Sequence, residues 1–245
     1  MRVFLKIEYD GTDYCGWQIQ PNGITVQEIV EKAIFSLTGE KVTVTGSGRT
    51  DSGVHALGQV AHFDTDSCIP PEKFANALNQ FLPDDVKVIE SRKVGDDMHA
   101  RFSAKRKTYR YKIYESKHPR PLLDRYSARV EYCLDLEKMQ SACKSLVGVH
   151  DFVGFSSTGS EVKDTVREIY SANVERVGEE VVFTVCGNGF LYNMVRIMAG
   201  TLVAVGIGKI APNEIDGVIL SKNRKKAGAT MPARGLTLVN VEYCE

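Results

Sequence analysis

The chain has 245 residues, enough to bury one large core or two smaller ones. Hydrophobic residues make up 43% and charged residues 25% of the sequence, a balance that excludes a disordered, collagen-like or coiled-coil protein. The 31 basic and 31 acidic residues cancel, which counts mildly against a nucleic-acid partner and means that any basic surface must be local.

The first predicted elements are a strand and a capped helix. Residues 2–9 alternate apolar and polar side chains, as a half-buried strand does. Residues 25–37 carry apolar side chains at helical spacing, with a capping box of Thr25 and Glu28 and a stop at Gly39. Further predicted elements in this half are a β-rich stretch at 41–45, a loop at 46–58, a strand at 59–64, a helix that opens at Pro70-Pro71 with Phe74, Leu78 and Phe81 on one face and ends before Pro83, and strands at 86–89 and 108–114.

The second half repeats this order loosely. Its predicted elements are strands at 128–132, 167–176, 181–186 and 236–243 and helices at 135–146, 191–205 and 212–221. Strands that follow one another with helices to one side predict an α+β fold, with two related strand–helix–strand halves that share a largely antiparallel sheet. We place the boundary near Ala104, which gives a first half at 1–104 and a second half at 105–245.

The loop at 46–58 is the first candidate for chemistry. Three glycines at 46, 48 and 53 bring backbone close to a ligand, and Arg49, Asp51 and His55 lie among or beside them. The loop lacks the spacing of a phosphate-binding loop or a nucleophilic serine elbow. Taken alone, it favours a hairpin with a surface ion pair over a catalytic carboxylate.

Arg196 is the second candidate, because its neighbours on all sides of a predicted helix are apolar. A buried guanidinium needs an anion, since breaking a buried ion pair costs about 3–5 kcal/mol. The partner is either a structural carboxylate or the loop carboxylate Asp51. In the second case the pair would lower the pKa of Asp51 and keep it ionised.

The third candidate is the strand at 105–114, in which Tyr109, Tyr111 and Ile113 share one face. Those tyrosines either pack into the core or form an aromatic platform for an unstacked base beside a basic surface. Residues 101–129 hold ten Lys or Arg against only Glu115 and Asp124, and a second basic patch comprises Lys222, Arg224, Lys225 and Lys226. Each patch is equally compatible with a solvated face.

Other residue types point to no further chemistry. The six cysteines are scattered without a C-x-x-C pair, which predicts reduced thiols and neither a disulfide framework nor a zinc site. All five histidines are interpreted as structural or surface residues. The apolar stretch at 190–208 is interrupted by Asn193 and Arg196, so a buried helix is predicted instead of a membrane span, and the expected location is cytoplasmic.

Several motifs together resemble the tRNA pseudouridine synthase A family over nearly the whole chain. They are residues 9–14 (YDGTDY), 16–18 (GWQ), 25–27 (TVQ), 48–56 (GRTDSGVHA), 107–111 (KTYRY), 190–196 (FLYNMVR) and 233–236 (ARGL). The segment at 48–56 is the most specific of them. Departures from the family pattern are small: Ser47 and Ser52 stand where alanine is more usual, and Cys15 and Met231 also differ.

The resemblance implies a role for each matching residue. Asp51 would be the nucleophile, Arg49 would enter the RNA stem and help to flip the uridine, and Tyr109 would stack on the uracil. Arg196 would hold Asp51, and Leu236 would pack beside the base. The resemblance further implies an active cleft between the two halves, a homodimer without cofactor or metal, and uridines 38, 39 and 40 of the tRNA anticodon stem-loop as substrates.

Two other functions fit part of the sequence. An RNA-binding or RNA-chaperone module could use the same basic and aromatic surface without chemistry, although the intact Arg49-Thr50-Asp51 sequence argues against it. A hydrolase with an aspartate nucleophile could act on a small molecule, although the tyrosine-rich basic strand disfavours that reading.

Overall fold

The computed structural model describes residues 1–157 and 164–244. Within them the chain forms ten strands and six α-helices, with short 3-10 helices in the connections. The strands are β1 (Arg2–Tyr9), β2 (Thr45–Gly46), β3 (His55–Asp64), β4 (Val86–Val94), β5 (Ala104–Glu115), β6 (Ala128–Val130), β7 (Gly148–Asp151), β8 (Val166–Val177), β9 (Glu180–Gly187) and β10 (Leu236–Tyr243). The α-helices are α1 (Val26–Thr38), α2 (Phe74–Leu78), α3 (Pro121–Asp124), α4 (Leu136–Leu146), α5 (Met194–Gly206) and α6 (Ile215–Leu220).

The chain divides into two compact units. The first comprises Met1–Lys105 and Thr237–Glu245, and the second comprises Arg106–Leu236. All of β10 except its first residue therefore belongs to the first unit. That the chain has two functional halves at 1–104 and 105–245 stays a prediction.

The first unit is built on a mixed sheet. Its strand order is β4-β1-β3-β10, and β2 adds to β3. The pairs β1–β3, β1–β4 and β2–β3 are antiparallel, whereas β10 runs parallel to β3. Helix α2 packs on β4 and also contacts α1. The buried side chains of these strands and helices make one apolar core, which includes Leu5, Ile34, Phe63 and Phe74.

The second unit has the strand order β5-β9-β8-β7, with every one of these neighbours antiparallel, and β6 pairs parallel to the end of β5. Helix α4 packs on β8, and α5 and α6 pack on α4. The predicted α+β class with largely antiparallel strands is confirmed. The prediction missed the short elements β7 and α3.

Helix α1 forms where the capping residues predicted it. The Thr25 side chain accepts a hydrogen bond from the Glu28 backbone N–H, and Gly39 ends the helix in the left-handed conformation at φ 76°. Val26, Val30 and Ile34 are buried on one face of the helix. The apolar spacing therefore predicted both the helix and its buried face.

The second predicted helix is shorter than expected. A 3-10 turn precedes α2, and α2 ends at Leu78, although the sequence predicted helix up to Pro83. The Asn79 side chain accepts a hydrogen bond from Val88 N at 2.8 Å and donates one to Val88 O at 2.9 Å. This pairing with β4 competes with helix continuation, so the prediction that Phe81 shares a helix face with Phe74 and Leu78 was wrong: those two are buried, whereas Phe81 lies beyond the helix and is exposed.

Helix α5 is buried along most of its length, as its apolar sequence predicted. It begins at Met194 instead of residue 191 because Asn193 adopts a left-handed conformation at φ 61°. At its centre, the backbone of the loop at 227–230 lies directly on the helix. A Cβ on Gly200 would overlap the carbonyl oxygen of Ala229, and Gly228 N donates to Thr201 Oγ1 at 2.9 Å.

We predict opposite effects for alanine at two helical glycines. Gly200→Ala should lower the free energy of unfolding by about 1–3 kcal/mol, because a methyl group must displace backbone. Gly217→Ala in α6 is the matched control: a Cβ there meets nothing within 4 Å, so the change should stabilise by about 0.5 kcal/mol. Urea unfolding of both variants measures this. Equal stability of Gly200→Ala and the unchanged protein would contradict the close approach.

Two of the histidines occupy structural positions. His55 and His62 are both buried, and their Nδ1 atoms accept backbone hydrogen bonds from Gly11 N and Ala100 N, each at 3.1 Å. Burial, together with Arg2 and His99, lowers the pKa of His62 to about 4. The unfolded chain protonates this side chain near pH 6.5, so its contribution to stability is complete above that pH and is lost as the pH falls toward 4.

This linkage predicts a steeper acid sensitivity for the unchanged protein than for His62→Gln. Between pH 6.5 and 4 the free energy of unfolding should fall by on the order of 2–3 kcal/mol more when the histidine is present. Carboxylates other than Asp64, whose pKa His62 helps to lower, titrate alike in both proteins and cancel in the comparison. Urea titrations at several pH values provide the measurement, and parallel pH profiles would contradict the assignment.

Candidate active site

The loop that carries Asp51 connects β2 to β3 and comprises residues 47–54, which we name the Asp51 loop. Along its central residues, exposure alternates. Arg49 is exposed, Thr50 is buried and Asp51 is half-buried. The buried threonine therefore anchors a segment whose two charged neighbours remain accessible.

The backbone of residues 14–17 holds the Asp51 loop in place. Trp17 N donates to Thr50 O at 3.1 Å, and Gly53 N donates to Tyr14 O at 3.3 Å. Gly16 adopts φ +85°, and a Cβ at this position would lie 2.5 Å from Thr50 O. Only glycine fits both the conformation and the spacing, which gives a physical reason for the Gly16-Trp17 sequence.

A buried polar network lies beneath the same loop. The Tyr9 hydroxyl and Thr50 Oγ1 are 2.7 Å apart. Ser47 Oγ donates to Gln59 Oε1 at 2.7 Å, and Gln59 Nε2 donates to Gly48 O at 2.8 Å. Sequence analysis gave Tyr9 and Gln59 no role. The available signal was a tyrosine and an amide at positions that strand pairing buries, because such groups require hydrogen-bond partners.

The two serines that depart from the family pattern both make hydrogen bonds. Ser47 binds Gln59 as described, and Ser52 Oγ donates to Tyr14 O at 3.2 Å. Alanine at these positions would remove two of the contacts that fix the Asp51 loop. The departures therefore add to the support of the loop and remove no functional group.

In the second unit, Arg196 binds the start of its own helix and the loop that follows residue 230. Arg196 Nε donates to Met231 O at 2.7 Å, and Nη1 donates to Asn193 Oδ1 at 2.6 Å. Both acceptors are uncharged, so neither of these contacts is the acidic partner that the sequence predicted. The pair with Asp51 stays a prediction.

Tyr109 lies on β5 with 8% of its surface exposed. Its ring packs edge-to-face against Phe190, with 5.1 Å between centroids. Because Phe190 opens the segment 190–196, the structure brings two of the resemblance motifs together within this unit. The role of Tyr109 as a platform for a base stays a prediction.

Tyr111 and the segment before β10 form a second contact between motifs. The Tyr111 hydroxyl donates to Pro232 O at 2.7 Å, and a Cβ on Gly235 would lie 2.6 Å from the ring. Burial raises the pKa of Tyr111 well above its usual range, although Arg196 and Arg234 act against the shift. The hydroxyl therefore stays protonated and holds the backbone that leads to the largely buried Leu236.

The basic stretch at 101–129 is partly neutralised by acids that lie outside it in the sequence. Lys112 pairs with Glu180 at 2.9 Å and Arg120 pairs with Glu179 at 2.8 Å. Arg129 Nη1 lies 3.0 Å from a Glu131 carboxylate oxygen. Carboxylates from outside residues 101–129 therefore lie beside these cations, in addition to Glu115 and Asp124 within the stretch.

The second basic patch is also smaller than its sequence indicates. Lys222 pairs with Asp151 at 2.7 Å. Arg224 donates to Gly228 O at 2.7 Å and to Thr230 Oγ1 at 3.0 Å, so its guanidinium holds the loop that lies on α5. Only the last two lysines of the patch remain as candidates for phosphate contacts.

Neither a metal site nor a membrane helix is found in the part of the chain that the structure describes. No group of three or more His, Cys, Asp or Glu residues there could hold a metal ion. No helix within the described ranges has both the length and the apolar character required to cross a bilayer.

A family model described as tRNA pseudouridine synthase matches residues 6–103 and 142–244. These two segments contain the Asp51 loop and the Arg196 helix, the two elements whose local geometry is described above. The match therefore covers the candidate site residues except Tyr109, which lies between the segments.

Curated relatives agree with that match over nearly the whole chain. The tRNA pseudouridine synthase A of Acetivibrio thermocellus is 54% identical over 241 residues, 98% of this chain and 99% of that protein. The protein of the same name from Ruminiclostridium cellulolyticum is 52% identical over 243 residues, 99% of each chain, and that from Bacillus licheniformis is 49% identical over 245 residues, 99% of each chain. With identities at this level across both units, the chain belongs to the tRNA pseudouridine synthase A family.

Proposed function

We propose that this tRNA pseudouridine synthase, an isomerase by family, converts uridine to pseudouridine at positions 38, 39 and 40 of the anticodon stem-loop. The observation that carries the proposal is the Asp51 loop. Buried Thr50 fixes it from below, while Arg49 and Asp51 on either side remain accessible. An acid and a cation on a rigid loop suit a flipped nucleotide and its phosphates.

The reaction breaks the C1′–N1 glycosidic bond, turns the base and joins C1′ to C5. The proton on C5 leaves, N1 gains one, and no net oxidation occurs, so the chemistry requires no cofactor. A carboxylate can add to the sugar, add to the base or remove a ribose proton. All three routes require Asp51 to be ionised and held within reach of the nucleotide.

Base flipping accounts for the other proposed residues. Removing a base from a stem costs a few kcal/mol. Arg49, which is exposed, enters the stem, and Tyr109 stacks on the everted uracil, with stacking contributing about 1–3 kcal/mol. Leu236 packs beside the base. The basic residues of 101–129 contact phosphates.

Arg196 is proposed to hold the Asp51 carboxylate. Its position at the start of a buried helix, fixed by Met231 O and Asn193 Oδ1, limits the directions in which the guanidinium can donate. A planar guanidinium suits a carboxylate because two parallel hydrogen bonds can form. This pair would join the half at 1–104 to the half at 105–245 in one catalytic cleft.

The working state is proposed to be a cytoplasmic homodimer with tRNA as its partner. The family resemblance supports the dimer. The relatives named above are bacterial, and bacterial tRNA is made in the cytoplasm, which supports that location. Cytosolic reducing conditions also fit the free cysteines of the chain, which include the exposed Cys68 and Cys133.

We expect Asp51→Asn to abolish pseudouridine formation while tRNA binding persists. The single-turnover rate should fall below about one ten-thousandth of the unchanged value, as when a nucleophile is removed. The tRNA Kd should stay within a few-fold, because phosphate contacts supply most of the affinity. Asp66→Asn, on an exposed residue outside the loop, is the control.

The measurement maps pseudouridine in an unmodified tRNA transcript after incubation with each purified protein. Turnover by Asp51→Asn would contradict the nucleophile assignment. Stoichiometric tRNA binding without any pseudouridine from the unchanged protein would instead favour the RNA-binding module. Modification outside positions 38, 39 and 40 would contradict the proposed substrate sites alone.

For Arg196→Met we expect at least about a tenfold loss in single-turnover rate with the fold retained, equivalent to about 1.4 kcal/mol at the transition state. Arg224→Met is the matched control, since Arg224 holds the same loop through Gly228 O and Thr230 Oγ1. If both variants slow the reaction equally, loosening of the loop explains the loss. If Arg196→Met unfolds, Arg196 is a structural residue.

A further inference from the structure

We propose that Tyr9 and Gln59 are positioning residues, which set the geometry of Asp51 through Thr50 and Gly48 without touching the substrate. The inference deepens the proposed function and depends on Asp51 as the nucleophile. It rests on the buried polar network beneath the Asp51 loop, and all of the residues in that network lie in the first unit.

The anchor at Tyr9 is rigid. Tyr9 is the last residue of β1 and pairs with Ala56 of β3 on one side and Val86 of β4 on the other. Its ring is almost fully buried and lies 6.2 Å from the Trp17 ring, measured between centroids. The hydroxyl, 2.7 Å from Thr50 Oγ1, is therefore held by two strands of the sheet at a fixed distance from the residue that precedes Asp51.

The Tyr9 hydroxyl acts only as a hydrogen-bond partner. Burial raises its pKa well above the usual range, and hydrogen bonds with Thr50 and Gln59 only partly oppose that shift. The phenol therefore keeps its proton at neutral pH and serves the loop as a hydrogen-bond partner. Its effect on the rate must act through the position of the loop.

Gln59 secures the other end of the same segment. Its side chain is inaccessible to solvent, and both of its amide atoms are used, Oε1 by Ser47 and Nε2 by Gly48 O. With Thr50 anchored by Tyr9, fixed residues lie on both sides of Arg49. The two charged residues are consequently presented to solvent by a backbone that the β1 and β3 side chains hold from beneath.

Catalytic carboxylates tolerate little displacement, since a shift of about 1 Å can cost on the order of 100-fold in rate. The network contacts neither the phosphates nor the face of the base that the proposed function assigns to other residues. Its loss should therefore change the rate of chemistry and leave the affinity for tRNA almost intact. Loss of a residue with a purely structural role would lower the stability of the protein without slowing the chemical step of bound tRNA.

The test uses Tyr9→Phe, Thr50→Val, the double variant and Thr50→Ser in the full chain. We expect Tyr9→Phe and Thr50→Val each to lower the single-turnover rate with saturating protein by about 10-fold or more, with tRNA Kd within twofold. The double variant should be no slower than Tyr9→Phe alone, because Thr50→Val removes a hydrogen bond that Tyr9→Phe has already removed. Thr50→Ser keeps the hydroxyl and should keep the rate within about threefold, since the bond to Tyr9 remains possible.

Tyr114→Phe is the matched control. Tyr114 is equally buried and donates its hydroxyl to Asp124 at 2.8 Å, but it lies in the second unit and outside the network. Urea unfolding should show comparable losses of stability for Tyr114→Phe and Tyr9→Phe, whereas only Tyr9→Phe should slow the chemistry.

Three outcomes would overturn the inference: an unchanged rate in Tyr9→Phe, a Thr50→Ser rate as low as that of Thr50→Val, or additive losses in the double variant. Asp51→Asn, measured in the same assay, separates this failure from failure of the proposed function. If Asp51→Asn is inactive and Tyr9→Phe is fully active, only the positioning role is wrong. If Asp51→Asn is active, the nucleophile assignment itself is wrong.

Discussion

The hydrogen bond between the Tyr9 hydroxyl and Thr50 is the contact on which the candidate site depends. A loop that exposes an acid and a cation gains no hydrophobic energy from those residues, so its conformation must be fixed by neighbours. Thr50 provides that constraint from below, and the close approach of Gly16 provides it from the side. Strand pairing of β1 thereby sets the position of a residue far away in sequence.

Two arginines of the second unit support backbone. Arg224 and Arg196 both donate to the segment at 228–231, and Tyr111 holds Pro232 just beyond it. A guanidinium can replace several missing backbone donors at once because it carries five N–H groups. Residues 228–231 form no helix or strand, and the next regular element is the 3-10 turn at Ala233–Gly235. The side chains of Arg196, Arg224 and Tyr111 therefore fix the path of this segment.

Periodicity and capping predicted the fold well because those signals are local. Thr25 and Gly39 delimited α1, and residues 236–243 were predicted as the strand that β10 forms. Local signals failed where a side chain bonded to a distant backbone group, as at Asn79, or where an acid from elsewhere approached a cation, as at Lys222. For the site, resemblance supplied Asp51 and its partners, but no pattern in the sequence supplied the network under the loop.

The location of β10 has a consequence for synthesis of the protein. Thr237 and Leu238 pair with β3, and the Tyr243 hydroxyl donates to Ala100 O at 2.7 Å. The sheet that supports Asp51 therefore lacks this strand until residues 236–243 have left the ribosome. During translation, residues 55 and 56 of β3 would lack their β10 partner while the second unit emerges and folds, whereas β2 pairs with residues 61 and 62, and unpaired edges promote aggregation. The strand that follows the Asp51 loop thus keeps part of its edge open to association until β10 has been made.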